Sequence, residues 1–425
     1  RSLVVIRMGK TASEKAFAAA SGNDAVSEGD TVEASIDVSW VHETQYSIFS
    51  ELFEKFGGDV WDTEKAVLMV DHTPNPTNET QARQVNAIYD FADQNGMDVV
   101  EVGIKHQAWR MLGKARPGAI MAGPDSHTPT AGALGAFATT VGPTDTAVIW
   151  NSGTLWLEVP GTRRFSLSGE LSGGVTARDV GFEILDRFGQ ETDYFARDQT
   201  IEYDGPAVRE MGLDGRQTLC NMAVEMGAMA TYIEPDERLK EEYLDPKVTE
   251  PYEVYQTDED ADYVEHEIDI SGLEPKVAYP HSPSNVHDVS EAAGIDIDQV
   301  FIGSCANGML DDLRLAAEIL DGREIDDDVR FIVTPASDEI RKQASAAGYL
   351  DTLIQAGARV MSNYCSVCVG YEGVLDAGER CLSTNTRNYR GRMGHRDSEI
   401  YLGSPAVAAA TAIAGEIADP RAVGQ

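Results

Sequence analysis

The sequence has few cysteines and no long apolar run. Only five cysteines occur in 425 residues, too few and too scattered for the disulfide framework of a small secreted protein. No apolar run reaches the length that spans a bilayer. The first residues lack the hydrophobic core and small-residue cleavage site of a signal peptide. We therefore expect a cytoplasmic protein with reduced thiols and no membrane segment.

Basic residues, and lysine above all, are scarce. The chain has 34 Lys plus Arg, of which ten are lysine, against 71 Asp plus Glu, and the formal net charge is -37. Such a surface repels phosphate, so we expect no nucleic acid among the partners. An ordinary acidic protein is one interpretation. The scarcity of lysine favours a halophilic host, where salt screens the repulsion between carboxylates.

Length and periodicity predict an α/β protein of several domains. A chain of 425 residues suggests about three domains, and a hydrophobic fraction of 42% is enough for packed cores. Apolar runs alternate with helical patterns, which is typical of layered α/β structure. In the first part of the chain we predict strands over 30–38, 65–70, 99–102 and 120–123 and a helix over 79–95. Glycine and prolines over 271–287 predict a linker.

The arrangement of three cysteines predicts a metal centre. Cys305 follows a strand and a glycine turn, and Cys365 and Cys368 form a C-x-x-C pair sixty residues later. Two thiolates at this spacing can bind one metal centre, and a third thiolate from a distant part of the sequence can complete the ligand set. Three thiolates would leave one iron of an iron–sulfur cluster open as a Lewis acid. A zinc site with a histidine ligand and a C-x-x-C redox pair are the alternatives. Cys220 or Cys381 could add a fourth ligand, or both could be buried apolar residues.

Histidines and aspartates follow three apolar runs in the N-terminal part. The pair Asp71–His72, His106, and the segment Asp125–Ser126–His127 each lie where a strand is expected to end. If these strands share a sheet, their side chains converge on one cleft. An Asp beside a His fixes its tautomer and raises its pKa, as general acid–base catalysis requires. Taken singly, each histidine is more often structural.

A group of arginines occurs late in the chain. Arg387 and Arg392 lie in the segment Thr-Arg-Asn-Tyr-Arg-Gly-Arg. Guanidinium groups bind carboxylates through two parallel hydrogen bonds. A surface cluster that pairs with local acids is the alternative, and composition alone favours it.

In combination, these motifs resemble one known family. The chain resembles the aconitase superfamily, most closely the large subunits of 3-isopropylmalate dehydratase of the archaeal type that includes homoaconitase-like enzymes. The similarity runs from about residue 8 to residue 420. The segments that carry it are Asp-Ser-His-Thr-Pro-Thr-Ala-Gly at 125–132, Cys-Asn-Met-Ala-Val-Glu at 220–225, Gly-Ser-Cys-Ala-Asn at 303–307, Cys-Ser-Val-Cys at 365–368 and Arg-Asn-Tyr-Arg-Gly-Arg at 387–392.

The resemblance implies a fold and a reaction. The fold class would be α/β, with three layered α/β/α domains of the aconitase type at 8–160, 161–284 and 285–425 around a central iron–sulfur cleft. The reaction would be that of a hydro-lyase, which isomerises a hydroxy di- or tricarboxylate by dehydration and rehydration. The best match is 3-isopropylmalate dehydratase in leucine biosynthesis. Homoaconitase, methylmalate dehydratase and other aconitase-like hydro-lyases are alternatives, and a non-catalytic or electron-transfer iron–sulfur protein is the alternative from another class.

The resemblance also implies roles for single residues. Cys305, Cys365 and Cys368 would bind a [4Fe–4S] cluster, whose open iron binds the substrate. His72, backed by Asp71, would act on the leaving hydroxyl. The further catalytic positions are His106, Asp125, His127 and Glu225, and the substrate-binding positions are Ser126, Asn221, Arg387 and Arg392.

The resemblance implies a partner as well. In single-chain aconitases a swivelling domain supplies the serine base, and we expect that domain to be absent here. A separate small subunit would then supply the base, and this chain alone would be inactive or nearly so.

Five positions depart from the family pattern. Thr386 stands where the family usually has asparagine, and Met309 where isopropylmalate dehydratases usually have arginine. Lys105 interrupts the otherwise matching Gly-x-x-His-Gln segment, and the pair His42–Glu43 has no role that the sequence explains. These departures affect the choice of substrate and leave the hydro-lyase class unchanged.

Overall fold

The structure is a computed structural model that describes residues 9–189 and 195–423 of the chain. The predicted domain limits at residues 8 and 425, and most of the N-terminal segment considered for a signal peptide, lie outside the described residues. The strands, numbered in chain order, are β1 Thr31–Ser35, β2 Val38–His42, β3 Ala66–Met69, β4 Val99–Val100, β5 Ile120–Gly123, β6 Phe137–Thr140, β7 Thr154–Glu158, β8 Gly161–Ser168, β9 Gln199–Asp204, β10 Ala230–Tyr232, β11 Val264–Asp269, β12 Lys276–Ala278, β13 Val286–Asp288, β14 Gln299–Ile302, β15 Arg330–Val333, β16 Arg359–Val360, β17 Arg380–Ser383 and β18 Glu399–Gly403.

Helices connect most of these strands. The α-helices, numbered in the same way, are α1 Ala12–Ser21, α2 Tyr46–Phe56, α3 Glu79–Asn95, α4 Lys105–Leu112, α5 Pro143–Ser152, α6 Ala177–Gly189, α7 Pro206–Glu210, α8 Leu213–Met222, α9 Glu237–Leu239, α10 Asp245–Lys247, α11 Val289–Ala292, α12 Leu310–Leu320, α13 Asp338–Ala346, α14 Tyr349–Gln355, α15 Pro405–Ala414 and α16 Pro420–Val423. Shorter 3₁₀ helices span Thr128–Leu134, Ala223–Met226 and Val367–Val369, and a π-helix spans Lys240–Leu244. None of the helices within the described residues has the length and hydrophobicity needed to cross a bilayer.

The first sheet has five parallel strands in the order β4-β3-β2-β5-β6. Both of its faces are buried. Trp40 and Val67 contribute to one core and Val41 and Leu68 to the other, as expected for a parallel sheet covered on both sides. The chain runs outward from β2 to β3 and β4 and then returns to β5 beside β2. At such a reversal the connections leave the carboxyl ends of the strands in opposite directions and open a crevice.

The third sheet contains a second reversal of this kind. Its strand order is β13-β12-β18-β17-β14-β15-β16, and all neighbours are parallel except at β12. The chain leaves β14 toward β15 and β16 and returns to β17 on the other side of β14. The second sheet is smaller, has parallel strands in the order β10-β9-β8-β11, and lies between these two sheets in the sequence. It shares one continuous hydrophobic core with the third sheet.

The sequence predicted the element boundaries well where local signals are strong. The helix over 79–95 has these limits because the Asn78 side chain caps its first turn and Gly96 ends it with a φ of +64°. The strand over 120–123 also has the predicted limits.

Two predictions about local structure were wrong. The strand predicted over 30–38 is two strands. β1 pairs with β7 in a separate antiparallel sheet of two strands, and β2 belongs to the first sheet. The linker predicted over 271–287 contains β12, which is buried and joins the third sheet. Glycine and prolines in this stretch flank β12 without interrupting it. The three predicted domain ranges stay a prediction.

Candidate active site

Polar side chains follow the carboxyl ends of three strands in the first sheet. Asp71 and His72 follow β3, and Asp125 follows β5. His106 lies in the first turn of α4, a few residues after β4. The structure brings these three strand exits together at the crevice beside the reversal of strand order.

His72 and Asp71 form a hydrogen-bonded pair. Nδ1 of His72 lies 2.8 Å from Oδ1 of Asp71. Burial and the charge of Lys105 act to lower the pKa of His72, but the Asp71 carboxylate outweighs them and the pKa is raised. His72 therefore holds a proton more readily than a free histidine. With Nδ1 paired to Asp71, Nε2 is the ring nitrogen that remains for a reacting group.

His106 and Asp125 form a second pair. Nε2 of His106 lies 2.7 Å from Oδ1 of Asp125, and the same oxygen accepts the backbone N–H of His127 at 3.0 Å. Burial lowers the pKa of His106 below its usual value in spite of the nearby Asp125 carboxylate. The two buried pairs therefore differ, because the pKa of His72 is raised and that of His106 is lowered.

Lys105 connects the two pairs. Its Nζ lies 3.1 Å from Oδ2 of Asp71 and 3.0 Å from Oδ2 of Asp125, and its side chain is 1% exposed. The sequence marked this residue only as a departure from the family pattern. Lysine is rarely fully buried unless it is paired. Its position between two segments rich in aspartate and histidine was the signal available in the sequence.

The three cysteines of the predicted metal centre come from two loops of the third sheet. Cys305 lies in a tight turn after β14, where Ser304 has a φ of +77°, which is uncommon for a residue other than glycine. Oγ of Ser304 donates a hydrogen bond to the Thr384 carbonyl at 3.2 Å and so holds the turn. Cys365 and Cys368 follow β16, with Cys368 in the short 3₁₀ helix.

Residues of the first sheet's crevice hold both cysteine loops. The backbone N–H of Cys365 donates to the carbonyl of Asp71 at 2.9 Å. Nε2 of Gln107 donates to the carbonyl of Cys305 at 2.7 Å. The cysteine loops therefore lie directly against the two histidine–aspartate pairs.

One cavity of about 110 Å³ lies between the two crevices. The residues that line it are Asp71, His72, Ile104, Lys105, His106, Asp125, Ser126, His127, Cys305, Cys365, Cys368, Val369, Arg387 and Arg392. Every site residue that the sequence singled out is among them except Asn221 and Glu225, which lie one layer behind the wall.

The donor set at this cavity suits an iron–sulfur cluster. Burial raises the pKa of Cys305 to about 12. The pKa of Cys368 is held well below its usual range by a hydrogen bond from Cys365 and by the Arg392 guanidinium. Nη2 of Arg392 lies 3.5 Å from Sγ of Cys368. Nε of Arg392 is buried without a hydrogen-bond partner among the described residues. Three thiol groups, and an arginine whose Nε–H has no protein acceptor, surround one cavity. This arrangement fits an anionic cluster bound through thiolates.

Glu225 supports Arg387 from behind the cavity wall. Nε of Arg387 donates to Oε1 of Glu225 at 2.8 Å, and Nη1 donates to Oγ of Ser126 at 2.9 Å. The same Oε1 lies 3.7 Å from Nε2 of His127. Burial alone would raise the pKa of Glu225, but His127 and Arg387 bring it below its usual value. Glu225 therefore orients an arginine that reaches the cavity.

Asn221 lies behind Cys305. Its Nδ2 donates to Oγ1 of Thr130 at 2.7 Å. A hydrogen bond from Asn221 also favours the thiolate of Cys305, although burial has the larger effect on that pKa. Asn221 is fully buried, so it contacts the cavity only through its neighbours.

The departures Thr386 and Met309 have different structural consequences. Oγ1 of Thr386 lies 2.8 Å from Nε2 of His127, so this residue belongs to the hydrogen-bond network of the site. Met309 is fully buried in the hydrophobic core, where it precedes α12, and does not line the cavity.

Cys220 and Cys381 lie away from the cavity. Both belong to the hydrophobic core shared by the second and third sheets. Burial raises the pKa of each thiol to about 12. Neither lines the cavity, so neither is positioned as a fourth ligand, and both pack as small buried apolar residues.

The pair His42–Glu43, whose role the sequence did not explain, supports the His72 loop. Oε1 of Glu43 accepts the backbone N–H groups of His72 at 2.7 Å and Thr73 at 2.6 Å, and Oε2 accepts that of Asp71 at 3.3 Å. The His42 ring stacks on His72 with 4.7 Å between ring centroids. Sequence reasoning missed Glu43 because its partners are main-chain groups, which any residue carries.

Comparison with protein families identifies similar proteins along almost the whole chain. The family model of the Aconitase family (aconitate hydratase) matches residues 23–296 and 290–415.

Named relatives are similar over nearly their full length. The chain is 46% identical to the 3-isopropylmalate dehydratase large subunit 1 of Methanopyrus kandleri, over 97% of this chain and 99% of the relative. It is 43% identical to the probable 3-isopropylmalate dehydratase large subunit of Methanothermobacter thermautotrophicus, over 97% and 99%. It is 42% identical to the corresponding large subunit of Desulfitobacterium hafniense, over 98% and 100%.

A solved structure has a related fold. The crystal structure of Thermococcus kodakaraensis aconitase X in its holo-form superposes with a TM-score of 0.51 at 14% sequence identity. The match covers 88% of this chain and 89% of that chain.

Proposed function

Because the chain belongs to the aconitase family, we propose that it is the large subunit of a 3-isopropylmalate dehydratase. Such a hydro-lyase of leucine biosynthesis moves a hydroxyl group between neighbouring carbons by dehydration and rehydration. Relatives with this name are 42–46% identical over nearly their whole length.

The observation that supports this proposal most strongly is the composition of the 110 Å³ cavity. Three cysteines, two histidine–aspartate pairs and two arginines line it together. These groups come from two sheets that are far apart in the sequence. Titratable groups gather around one cavity far more often at a functional site than in a purely structural core.

We assign Cys305, Cys365 and Cys368 as the ligands of a [4Fe–4S] cluster. When bound, this cluster supplies one iron without a protein ligand, which acts as a Lewis acid toward the substrate. The match to the aconitase family over residues 23–296 and 290–415 supports this assignment over a zinc site.

His72 is the proton donor in this proposal. The Asp71 carboxylate raises the pKa of His72 and so favours its protonated form. Asp71 holds Nδ1 and fixes the ring, so the proton on Nε2 can pass to the departing hydroxyl, which leaves as water. The carboxylate of Asp71 also stabilises the positive charge of the imidazolium while the substrate binds.

Arg387 and Arg392 bind the substrate carboxylates in this proposal. Both guanidinium groups reach the cavity, and Glu225 and Ser126 fix the orientation of Arg387. A guanidinium beside a carboxylate stabilises the negative charge that develops there when the neighbouring carbon loses its proton. His106, Asp125 and His127 also line the cavity, and we assign them to ordering the hydroxyl group before it leaves.

A small subunit supplies the base that removes the carbon-bound proton. The relatives are named as large subunits, which supports a partner of this kind. The substrate side chain would then be recognised partly by that partner. Homoaconitate, methylmalate and other hydroxy acids are therefore the alternative substrates.

Anaerobic reconstitution tests the proposed function. The chain would be loaded with iron and sulfide and combined with the small subunit encoded in the same genome, and its turnover of isopropylmalate, homoaconitate and methylmalate would be compared. We expect isopropylmalate to give the highest kcat/KM and the chain alone to be inactive or nearly so. Preference for another acid would change the substrate, and absence of turnover on all of them would refute the hydro-lyase assignment.

A further inference from the structure

Lys105 is a fully buried cation in the wall of the cavity. It begins α4, and its side chain is 1% exposed. Its backbone N–H donates to Oδ2 of Asp71 at 3.0 Å, so the main chain and the side chain both engage the same carboxylate. The role of this lysine is not explained by cluster binding or by substrate binding.

The ammonium group is shared between two aspartates. Nζ lies 3.2 Å and 3.1 Å from the two oxygens of Asp71 and 3.0 Å from Oδ2 of Asp125. Each aspartate also contacts a histidine, since Asp71 pairs with His72 and Asp125 with His106. The result is one continuous chain of contacts that runs from His72 through Asp71, Lys105 and Asp125 to His106.

Electrostatics explains why a cation is needed at the centre of this chain. Both carboxylates contact the same nitrogen atom, so they lie close together in a buried place. Two buried carboxylates at short distance do not both stay ionised without a compensating charge. The ammonium group of Lys105 supplies that charge at hydrogen-bond distance from both carboxylates.

We propose that Lys105 is a positioning residue for the reaction, because its ammonium group joins the Asp71–His72 and Asp125–His106 pairs and so fixes both histidines at the cavity wall. This inference rests on the proposed hydro-lyase function. It assigns no direct contact between Lys105 and the substrate. The three contacts to aspartate oxygens match the three hydrogens of the ammonium group, and the two arginines remain as the cations for substrate carboxylates.

The chain offers a matched control for this lysine. Lys276 in β12 is also buried, and its Nζ lies 2.9 Å from Glu183 and 3.0 Å from Asp288. It joins two carboxylates as Lys105 does, but it does not line the cavity. Lys276→Ala therefore measures the cost of removing a buried ammonium bridge without a role at the site.

The test uses Lys105→Ala, Lys105→Met and Lys276→Ala in the cluster-loaded complex with the small subunit. Iron and sulfide content, kcat and KM would be measured for each variant. For Lys105→Ala we expect kcat to fall about 100-fold, the lower end of a general acid–base contribution, with KM changed less than about threefold. Lys276→Ala should keep kcat within about threefold.

Chemical rescue separates positioning from simple loss of packing. Truncation to alanine leaves space for an alkylammonium ion. Propylammonium should therefore raise the kcat of Lys105→Ala about tenfold above its value without the amine, and the effect should saturate with amine concentration. It should not act on Lys105→Met, where the methionine side chain occupies that space. Propanol, which has similar size and no charge, should not rescue either variant.

Several outcomes would overturn the inference. If the wild type is active and both Lys105 variants keep kcat within about threefold, Lys105 does not position the histidines. The same conclusion follows if propylammonium has no effect on a cluster-loaded Lys105→Ala, or if neither Lys105 variant folds and binds a cluster, because the lysine would then support the scaffold alone. A wild type inactive on every acid overturns the proposed function together with this inference.

Discussion

Thr386 Oγ1 lies 2.8 Å from His127 Nε2, although the two residues are 259 positions apart in the chain. This contact connects the loop after β17 with the loop after β5, and so joins the two crevices that enclose the cavity. His127 also faces Glu225, which holds Arg387. The threonine therefore supports a histidine of the cavity wall without lining the cavity itself.

Removal of the Thr386 hydroxyl should lower turnover. In Thr386→Val the buried His127 ring loses one hydrogen-bond partner, a loss of about 1.4 kcal/mol that corresponds to a tenfold lower kcat if the orientation of His127 matters in the transition state. Thr386→Ser keeps the hydroxyl and should stay within about threefold of the wild type. Equal kcat values for Thr386→Val and the wild type would show that this contact has no catalytic consequence.

Removal of the Glu43 carboxylate should destabilise the fold. Three backbone N–H groups donate to this fully buried side chain, and Glu43→Ala leaves them without partners. We expect the free energy of unfolding in urea to fall by about 3 kcal/mol. Glu51→Ala, at an exposed surface pair with Lys55, should change it by less than about 0.5 kcal/mol. A similar small loss for Glu43→Ala would contradict its role as support of the His72 loop.

The pH dependence of turnover should report the Asp71–His72 pair. The Asp71 carboxylate raises the pKa of His72. If protonated His72 is the active form, activity is present below this pKa and is lost as the pH rises through it. Asp71→Asn removes the charge and lowers the pKa, so the alkaline limb of the kcat profile should shift to lower pH. Asp90→Asn, at an exposed position of α3, should leave the profile unchanged, and an unshifted limb in Asp71→Asn would exclude His72 as the acid.

Salt should stabilise the protein. A net charge of -37 destabilises the compact state through self-repulsion. The Debye length falls from about 10 Å at 0.1 M to about 3 Å at 1 M salt, so KCl screens this repulsion. We expect the urea concentration at the midpoint of unfolding to rise when KCl is increased from 0.1 M to 2 M. This rise should exceed the rise that sucrose of the same osmolality produces. An equal or smaller effect of KCl would argue against adaptation to a salt-rich cytosol.

Parts of the site could be predicted from sequence because its residues follow strand ends. Asp71, His72 and Asp125 come directly after apolar runs, and parallel strands bring such positions to one edge of a sheet. The spacing of Cys365 and Cys368 predicts a metal centre from sequence alone, since a C-x-x-C pair is a local signal.

Other parts could not be predicted because they depend on tertiary contacts. Glu43 binds main-chain groups, which carry no sequence signal. The role of Lys105 can be recognised only once Asp71 and Asp125 are known to lie side by side. The linker prediction over 271–287 was wrong because β12 has only three residues and is held by its neighbours in the sheet rather than by its own sequence. Local patterns carry no information on such pairings.

We assign Cys305, Cys365 and Cys368, and no other cysteines, as the ligands of the cluster. The iron and acid-labile sulfide content after anaerobic reconstitution of the five single Cys→Ser variants tests this assignment. We predict about four irons per chain in the wild type and in the Cys220 and Cys381 variants, and loss of a stable four-iron cluster in the other three. Full iron content in any of those three, or its loss in the Cys220 or Cys381 variant, would contradict this ligand assignment.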